Sequence, residues 1–221
     1  MKIIALTRYS RKGASSRMRF HIFFEYLTSQ GFTIKEENLL GDEYLHDIYS
    51  GNKKNVFYIL RRYIRRVLIL STVYKYDVIW LEKEILPNFP AIFERFMRCF
   101  GVKVIVDFDD AVFHNYDQLK YTNPFKFLLR NKIDVVMRKS SLVVCGNSYI
   151  AIRANEAGSN NICIIPTVID LNKYKVTQRR DEKIIIGWIG TPVTEHSLDL
   201  IIPALEELSL EYKFAVKLIG I

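Results

Sequence analysis

A chain of 221 residues, 49% of them apolar, is long enough to bury a sizeable core and too apolar for disorder. Its longest apolar runs are strand-length or amphipathic, and the opening MKIIALTRYSRK has too short a run for a secretory leader, which argues against a membrane span and against secretion. The net charge of +8 is uneven: residues 1–75 hold 14 Lys and Arg against 6 Asp and Glu, residues 76–170 hold 11 of each, and residues 171–221 hold 7 of each. The basic excess therefore belongs to one portion of the chain and suits an anionic partner such as phosphate, lipid headgroups or nucleic acid.

Strand-like runs alternate with helical ones. A strand over Lys2–Thr7 leads through a Gly/Ser turn at Gly13–Ser16 into a helix near Arg17–Gln30, and Phe32–Glu37 reads as the next strand. A helix follows near Lys54–Leu70, then a strand at Asp77–Leu81, a helix near Asn88–Phe100 and a strand at Lys103–Phe108. The first part closes with a helix near Pro124–Lys139, a strand at Leu142–Cys145, a helix at Ser148–Glu156 and a strand at Ile162–Pro166. Gly31, Gly101 and Gly158 sit where helix ends call for a left-handed residue. VIVDF and LVVC are continuously apolar and β-branched, as in strands covered on both faces. Such alternation predicts an α/β fold, a Rossmann-like doubly wound parallel sheet.

Asp170–Glu182 is polar and aperiodic and reads as a connection. From Lys183 the opening order recurs: IIIGWIG as a strand ending in a glycine turn, SLDLIIPALEEL as a helix, FAVKLIGI as a strand. The expected organisation is a first domain over 1–170, a linker over 171–182, and over 183–221 the start of an incomplete second Rossmann-like unit. Two strands and one helix leave an unpaired edge and an uncovered apolar face, so this tail is expected to be loosely held, with weak amide-exchange protection at Ile184–Ile186.

Ligands of such sheets bind at the carboxyl ends of the strands. Three segments lie there. In RYSRKGASSRMRF, Gly13 allows close backbone approach, Ser15 or Ser16 can cap the next helix, and Arg17 and Arg19 offer fixed charge to phosphate or carboxylate. A plain capped helix with solvated arginines is the alternative, and the P-loop pattern is missing. In VDFDDAVFHN, Asp107, Asp109 and Asp110 crowd a strand end, where each carboxylate needs a donor or a cation. They could orient a hydroxyl, act as a base or bind a metal, or one could simply cap the next turn. In GWIGTPVTEHS, Gly187 and Gly190 bracket Trp188, and Thr191, Thr194 or Ser197 can cap a following helix to make a pocket for an anion or a flat ring. Glu195 and His196 adjoin but do not face each other on a helix. His21 and His46 read as structural, and His114 as a loop residue.

The segment Lys53–Leu70 is amphipathic. At 100° per residue Val56, Ile59, Leu60, Tyr63, Ile64 and Val67 share one face, while Lys54, Arg61, Arg62, Arg65 and Arg66 share the other. The expectation is an apolar face on the sheet and arginines in water, or facing anionic headgroups on the inner side of the cell membrane. The three cysteines, Cys99, Cys145 and Cys163, fit no metal spacing and read as buried thiols. No recognition helix accompanies the basic charge, which argues against nucleic acid, and no G-x-G-x-x-G follows a strand, which argues against a dinucleotide-dependent oxidoreductase.

Five segments in order resemble the bacterial group 1 glycosyltransferases, retaining enzymes of the GT-B fold with two Rossmann-like domains: KGASSRMR, VIVDFDDAVF, VVCGNSYIAIRANEAG, NICIIPTVIDLNKY and IIIGWIGTPVT. The resemblance implies sugar transfer from a nucleotide-sugar donor to a glycan or lipid-linked acceptor with retention, in polysaccharide assembly, and without a metal or other cofactor. Carried over, it puts Gly13, Ser15, Ser16, Arg17 and Arg19 along the cleft, Asp109 and Asp110 on the acceptor side of the reaction centre, and Asn147 and Ser148 at the cleft wall. Gly190 and Thr191 would approach the nucleotide diphosphate. Two departures stand out. Trp188 follows Gly187 where relatives often have Arg, and the turn Thr191–His196 holds no Lys or Arg. The family's glutamate motif for the donor is not among these residues, so the expectation for this chain is an impaired enzyme or a non-catalytic binding module with a basic membrane-facing surface.

Overall fold

The computed structural model describes residues 1–52, 55–96, 99, 101–117, 126–171, 174, 184–190 and 192–220. Two compact units emerge, one formed by Met1–Leu45 with Asn55–Asp170, the other by His46–Lys54 with Leu171–Ile221.

The first unit is a six-stranded, all-parallel sheet. Its strands are β1 (Lys2–Leu6), β2 (Thr33–Glu36), β3 (Val78–Glu82), β4 (Lys103–Phe108), β5 (Leu142–Cys145) and β6 (Ile162–Ile164), in the order β2-β1-β3-β4-β5-β6. Because alternate residues point to opposite faces, the register assigns each side chain to one of two sides. On one side Ile4, Leu6, Ile79, Leu81, Val104, Val106, Phe108, Val143 and Cys145 are fully buried. They pack with α4 (Val56–Leu70), α8 (Lys132–Lys139) and α9 (Ser148–Glu156) to make the core.

Among the described residues the other side is only half covered. The coil that follows β1 runs as α1 (Ala14–Ser16), a π-helical turn (Arg17–His21) and α2 (Ile22–Ser29), where a single helix was expected. It lays Phe20 and Phe24 against Trp80, with ring centroids 4.3 Å and 6.2 Å away. Beyond them an apolar groove of about 380 Å³ runs over Trp80, Ile105, Leu142, Val144 and Ile165. LVVC was expected to be covered on both faces; the register instead turns Leu142 and Val144 into this groove and Val143 and Cys145 into the core. A hydrophobic run shows that a strand is apolar on both sides without showing that both sides are occupied.

All three predicted glycines have left-handed backbones, φ 84° at Gly31, 67° at Gly101 and 82° at Gly158. Other boundaries moved. The helix expected over Asn88–Phe100 is reduced to α5 (Ile92–Phe96), since Pro90 and the left-handed Asn88 (φ 57°) hold the preceding segment in a loop; Met97, Arg98 and Phe100 lie outside the described residues. The helix expected over Pro124–Lys139 is divided into α7 (Lys126–Leu129) and α8 by Asn131, whose backbone is not helical. Two helices had no expectation: α3 (Asp42–Tyr49), with Asp42 and Glu43 favouring its first turn, and the short α6 (His114–Asp117). Only Cys145 is buried; Cys99 and Cys163 are exposed, the latter because β6 is an edge strand.

Orientation of α4 is the largest departure. Asn55 caps it, accepting a bond from the Tyr58 N–H at 3.0 Å. Arg66 is buried and donates to the carbonyls of Thr7 (2.7 Å) and Glu37 (2.9 Å), Arg62 donates to Leu39 O (2.7 Å), and Arg65 pairs with Glu37 (2.9 Å). Val56, Leu60 and Ile64, assigned by periodicity to the buried face, are exposed. The arginines add donors to carbonyls around the ends of β1 and β2; the Thr7 oxygen accepts from the Leu39 N–H as well (2.9 Å). Of the four arginines expected at a headgroup surface, only Arg61 and Arg65 face outward.

In the second unit β7 (Ile184–Ile189) pairs in parallel with β8 (Phe214–Ile219) through α10 (Ile202–Glu211). The helix expected from Ser197 begins at Ile202, because Pro203 is tolerated only in a first turn, and Pro192–Leu200 is 3₁₀-helical instead. Thr194 and Ser197 therefore lie within this 3₁₀ segment and not at the first residue of α10, while Thr191, the third capping candidate, lies outside the described residues. Among the described residues no helix is long and apolar enough to cross a membrane.

Candidate functional site

The carboxyl ends of β1, β3, β4 and β5 converge on a cluster of charged and hydroxyl side chains. The turn after β1 is pinned first. Ser16 is fully buried; its hydroxyl accepts from the Tyr9 N–H (3.0 Å) and donates to Glu82 Oε2 (2.6 Å), which also accepts from the Arg8 N–H (2.7 Å). Ser16 is thus a brace to β3 and does not cap the following coil. Gly13 is required by space, as a Cβ there would lie 2.4 Å from the Cβ of Tyr9. Gly13→Ala is expected to force the turn open and destabilise the first unit by about 1–3 kcal/mol, measured as a lowered urea midpoint at unchanged slope.

Ser15 reaches across to β4, donating to Asp109 Oδ2 at 2.6 Å. Lys83 meets the same group from β3. Its ammonium lies 2.9 Å from Asp109 Oδ1 and 3.0 Å from Asp110 Oδ2, in the place between two carboxylates where a cation would otherwise be needed. Lys83 is buried, its own N–H donates to Asp107 O (3.0 Å), and its φ of 61° is left-handed, a conformation that strains a residue with a Cβ. Burial lowers the Lys83 pKa, but Asp109 and Asp110 outweigh it and the net shift is upward. For Asp109, burial raises the pKa and is outweighed by Lys83 and Ser15, so the carboxylate is held below its ordinary value. Asp110 projects to solvent, with its side chain 62% exposed.

Gly146 brings β5 into the site. A Cβ there would stand 3.2 Å from the Asp109 backbone, so the glycine lets the start of α9 close on the aspartate. Asn147 caps α9 by accepting from the Ile150 N–H (3.0 Å), and Ser148 begins the helix and is exposed.

Arg17 and Arg19 part company. Arg17 is exposed. Arg19 is buried, donating to Asp107 Oδ1 (2.8 Å) and Ile165 O (2.7 Å), so it ties β4 to the segment after β6. Burial pushes the Asp107 carboxyl up to about 6 against the lowering effect of Arg19. The expected pairing of Arg19 with a ligand anion is taken by Asp107.

Glu82, Lys83 and Glu84 went unnoticed in the sequence, although a Glu-Lys-Glu triplet directly after an apolar strand satisfies the same carboxyl-end rule that singled out Asp107–Asp110. Below the site Glu84 accepts from Tyr116 (2.7 Å) and lies 2.5 Å from the buried Lys132. His114 contacts the Tyr149 hydroxyl at 2.8 Å, and His21 contacts Glu36 at 2.8 Å. Among the described residues no three His, Cys, Asp or Glu side chains gather to hold a metal.

In the second unit a Cβ at Gly190 would fall 2.1 Å from the Trp188 ring, so the indole covers this turn and only glycine fits beneath it. Thr191 and the residues 172–173 and 175–183 of the expected linker and its end lie outside the described residues.

No protein-family model matches the chain, and no curated protein matches it. Among solved structures it is similar to the sucrose-phosphate synthase of Thermosynechococcus elongatus, with a TM-score of 0.55 at 10% identity, covering 100% of this chain and 70% of that one. At this identity the likeness is one of fold: a Rossmann-like α/β architecture with a six-stranded parallel sheet and a second, smaller parallel sheet.

Proposed function

We propose that this chain carries the acceptor-side domain, and the beginning of the donor side, of a glycosyltransferase that moves a sugar from a nucleotide-sugar donor to a glycan or lipid-linked hydroxyl with retention of configuration. The observation that carries this reading is the cluster of Ser15, Lys83, Asp109 and Asp110 at the carboxyl ends of three adjacent strands. The five family-like segments support it, as does a fold shared with an enzyme whose name marks it as making a sugar phosphate.

Within this reading the two neighbouring aspartates have different tasks. Asp109 is locked by Lys83 and Ser15 and is a poor proton acceptor. It fixes the geometry. Asp110 is tethered to Lys83 through one oxygen but faces solvent, so it can also accept a hydrogen bond from the acceptor hydroxyl, aligning its lone pair on the anomeric carbon. Breaking the sugar–phosphate bond leaves negative charge on the diphosphate; the exposed Arg17 and the amino end of α9 at Asn147 and Ser148 are the groups in the first unit suited to meet it.

The test is transfer of radiolabelled sugar from a panel of nucleotide sugars to lipid and glycan fractions, with saturation-transfer NMR for weak binding. Saturable binding of a sugar nucleotide or acceptor that Asp110→Asn weakens or uncouples from transfer is the expected result. Carbohydrate ligands that bind no more tightly to the native chain than to Asp110→Asn and Arg17→Gln would remove the reading.

A further inference from the structure

The outward face of α4 is built as an interface. Val56, Phe57, Leu60, Ile64 and Leu68 are each more than half exposed. From Phe57 to Leu68 they recur every three or four residues, a stripe roughly 17 Å long at 1.5 Å per residue. The inward face is already satisfied: Tyr58, Ile59, Tyr63 and Val67 pack on the core, and Arg62 and Arg66 are committed to backbone carbonyls. The stripe is therefore surplus to folding of the first unit, and apolar side chains contiguous over three turns are uncommon on a surface that meets only water.

Charge identifies the occupant. Val56–Leu70 contains no acidic residue, and with Arg62 and Arg66 committed inward its outward charge is the positive charge of Arg61 and Arg65. Arg61 and the outer part of Arg65, whose side chain is 56% exposed, stand beside the stripe. A long guanidinium stem next to Leu60 and Ile64 can follow the apolar side chains down and keep its charge at their outer edge. Phe and aliphatic residues on one side, with cations of a single sign alongside, is the pattern of a helix lying in the plane of a membrane interface. A protein groove would need the same apolar complement but gives no reason for the excess of one charge.

We infer that α4 docks this chain on an anionic bilayer, its Phe57–Leu60–Ile64–Leu68 stripe entering the headgroup–acyl boundary and Arg61 and Arg65 meeting lipid phosphates. This inverts the arrangement expected from periodicity, in which the basic face alone touched the headgroups. It does not depend on the glycosyltransferase reading. A lipid-linked acceptor would explain why such a surface is useful, but the docking stands or falls by itself.

The experiment is co-sedimentation of the whole 221-residue chain with vesicles of phosphatidylcholine alone or mixed with phosphatidylglycerol. Binding is expected on the mixed vesicles, weakening with added salt. Ile64→Glu, at an exposed position, should retain the native circular dichroism and lose at least tenfold in partitioning. Arg61→Gln and Arg65→Gln should each lose about fivefold on the mixed vesicles only. Equal binding to neutral vesicles would overturn the role of the arginines, and undiminished binding by Ile64→Glu would overturn the role of α4. A lipid-free dimer that Ile64→Glu dissociates, without vesicle binding by the native chain, would assign the stripe to a second copy and overturn the inference.

Discussion

Replacing Arg19 by Met is expected to lower the unfolding free energy of the first unit by about 3–5 kcal/mol, the range for breaking a buried ion pair from one side. Both partners are out of water, and the guanidinium has two assignments, the Asp107 carboxylate and the Ile165 carbonyl. Its removal leaves a buried carboxylate with no counter-charge and a carbonyl without its donor. The pH dependence gives the cause away. Burial already pushes Asp107 up to about 6, above its unfolded value, so in the native chain its contribution favours folding at low pH and is lost as pH rises through the folded value. Without Arg19 the folded value rises further. The destabilisation should therefore be greatest above neutrality and shrink as the solution is acidified toward the unfolded value, where the group is neutral in both states. Urea melts between pH 4 and about 8 on the native chain and the variant test this; a loss independent of pH would show that packing in the π-helical turn, and no charge, is what Arg19 provides. The double variant Arg19→Met/Asp107→Asn should recover part of the stability.

On the proposed glycosyltransferase reading, Lys83→Met is expected to lower whatever sugar transfer the native chain supports by about two orders of magnitude, the scale of a 1 Å displacement at a reacting centre. Lys83 does not itself reach the acceptor in the proposed arrangement. It holds Asp109 at 2.9 Å and Asp110 at 3.0 Å, and so positions the carboxylate that does. Two readouts separate this from a structural effect. Carbon-13 titration of Asp109 should show its pKa rising once the ammonium is gone, since Lys83 is the leading influence that holds it down. The depressed native value means that Asp109 contributes stability above its unfolded pKa and loses that contribution as pH falls through the folded one; the variant should no longer show this acid-side loss. Lys83→Gly provides the second readout. It removes the same charge but relieves the left-handed backbone at φ 61°, so it should be more stable than Lys83→Met by about 1 kcal/mol while losing as much activity. Full activity in either variant would remove Lys83 from the site.

The second unit displays large apolar side chains. Ile189, Leu200 and Leu210 are each at least 79% exposed, and its two strands have neighbours on one side only. A sheet of two strands is marginal without further partners, which makes the stability of the first unit the quantity that the variants above report.

Much of the architecture was legible before any coordinate. Lys103–Phe108 and Leu142–Cys145 form strands with the expected bounds, Ser148–Glu156 is the expected helix with Asn147 as its cap, and the carboxyl-end rule pointed at Asp109 and Asp110. These features are local. A β-branched run, an Asn before a helical period and a glycine with positive φ are written in short stretches whose physics does not depend on distant residues.

What those stretches could not supply is the identity of the partner across space. Arg19 and Arg17 are two residues apart in one motif, yet one is sealed against Asp107 and the other meets solvent, because only the π-helical turn decides which side faces the sheet. Arg66 reads as a surface charge until Thr7 and Glu37 present carbonyls to it. Lys83 looks like an ordinary loop lysine until β4 brings Asp109 and Asp110 within 3.0 Å. Local propensity and hydrophobic period thus specified the α/β order and the end of the sheet where the charged side chains gather. The pairing of charges, the face that α4 turns outward and the half-covered side of the sheet came only with tertiary structure, since burial strengthens or weakens a charge according to neighbours contributed by other strands.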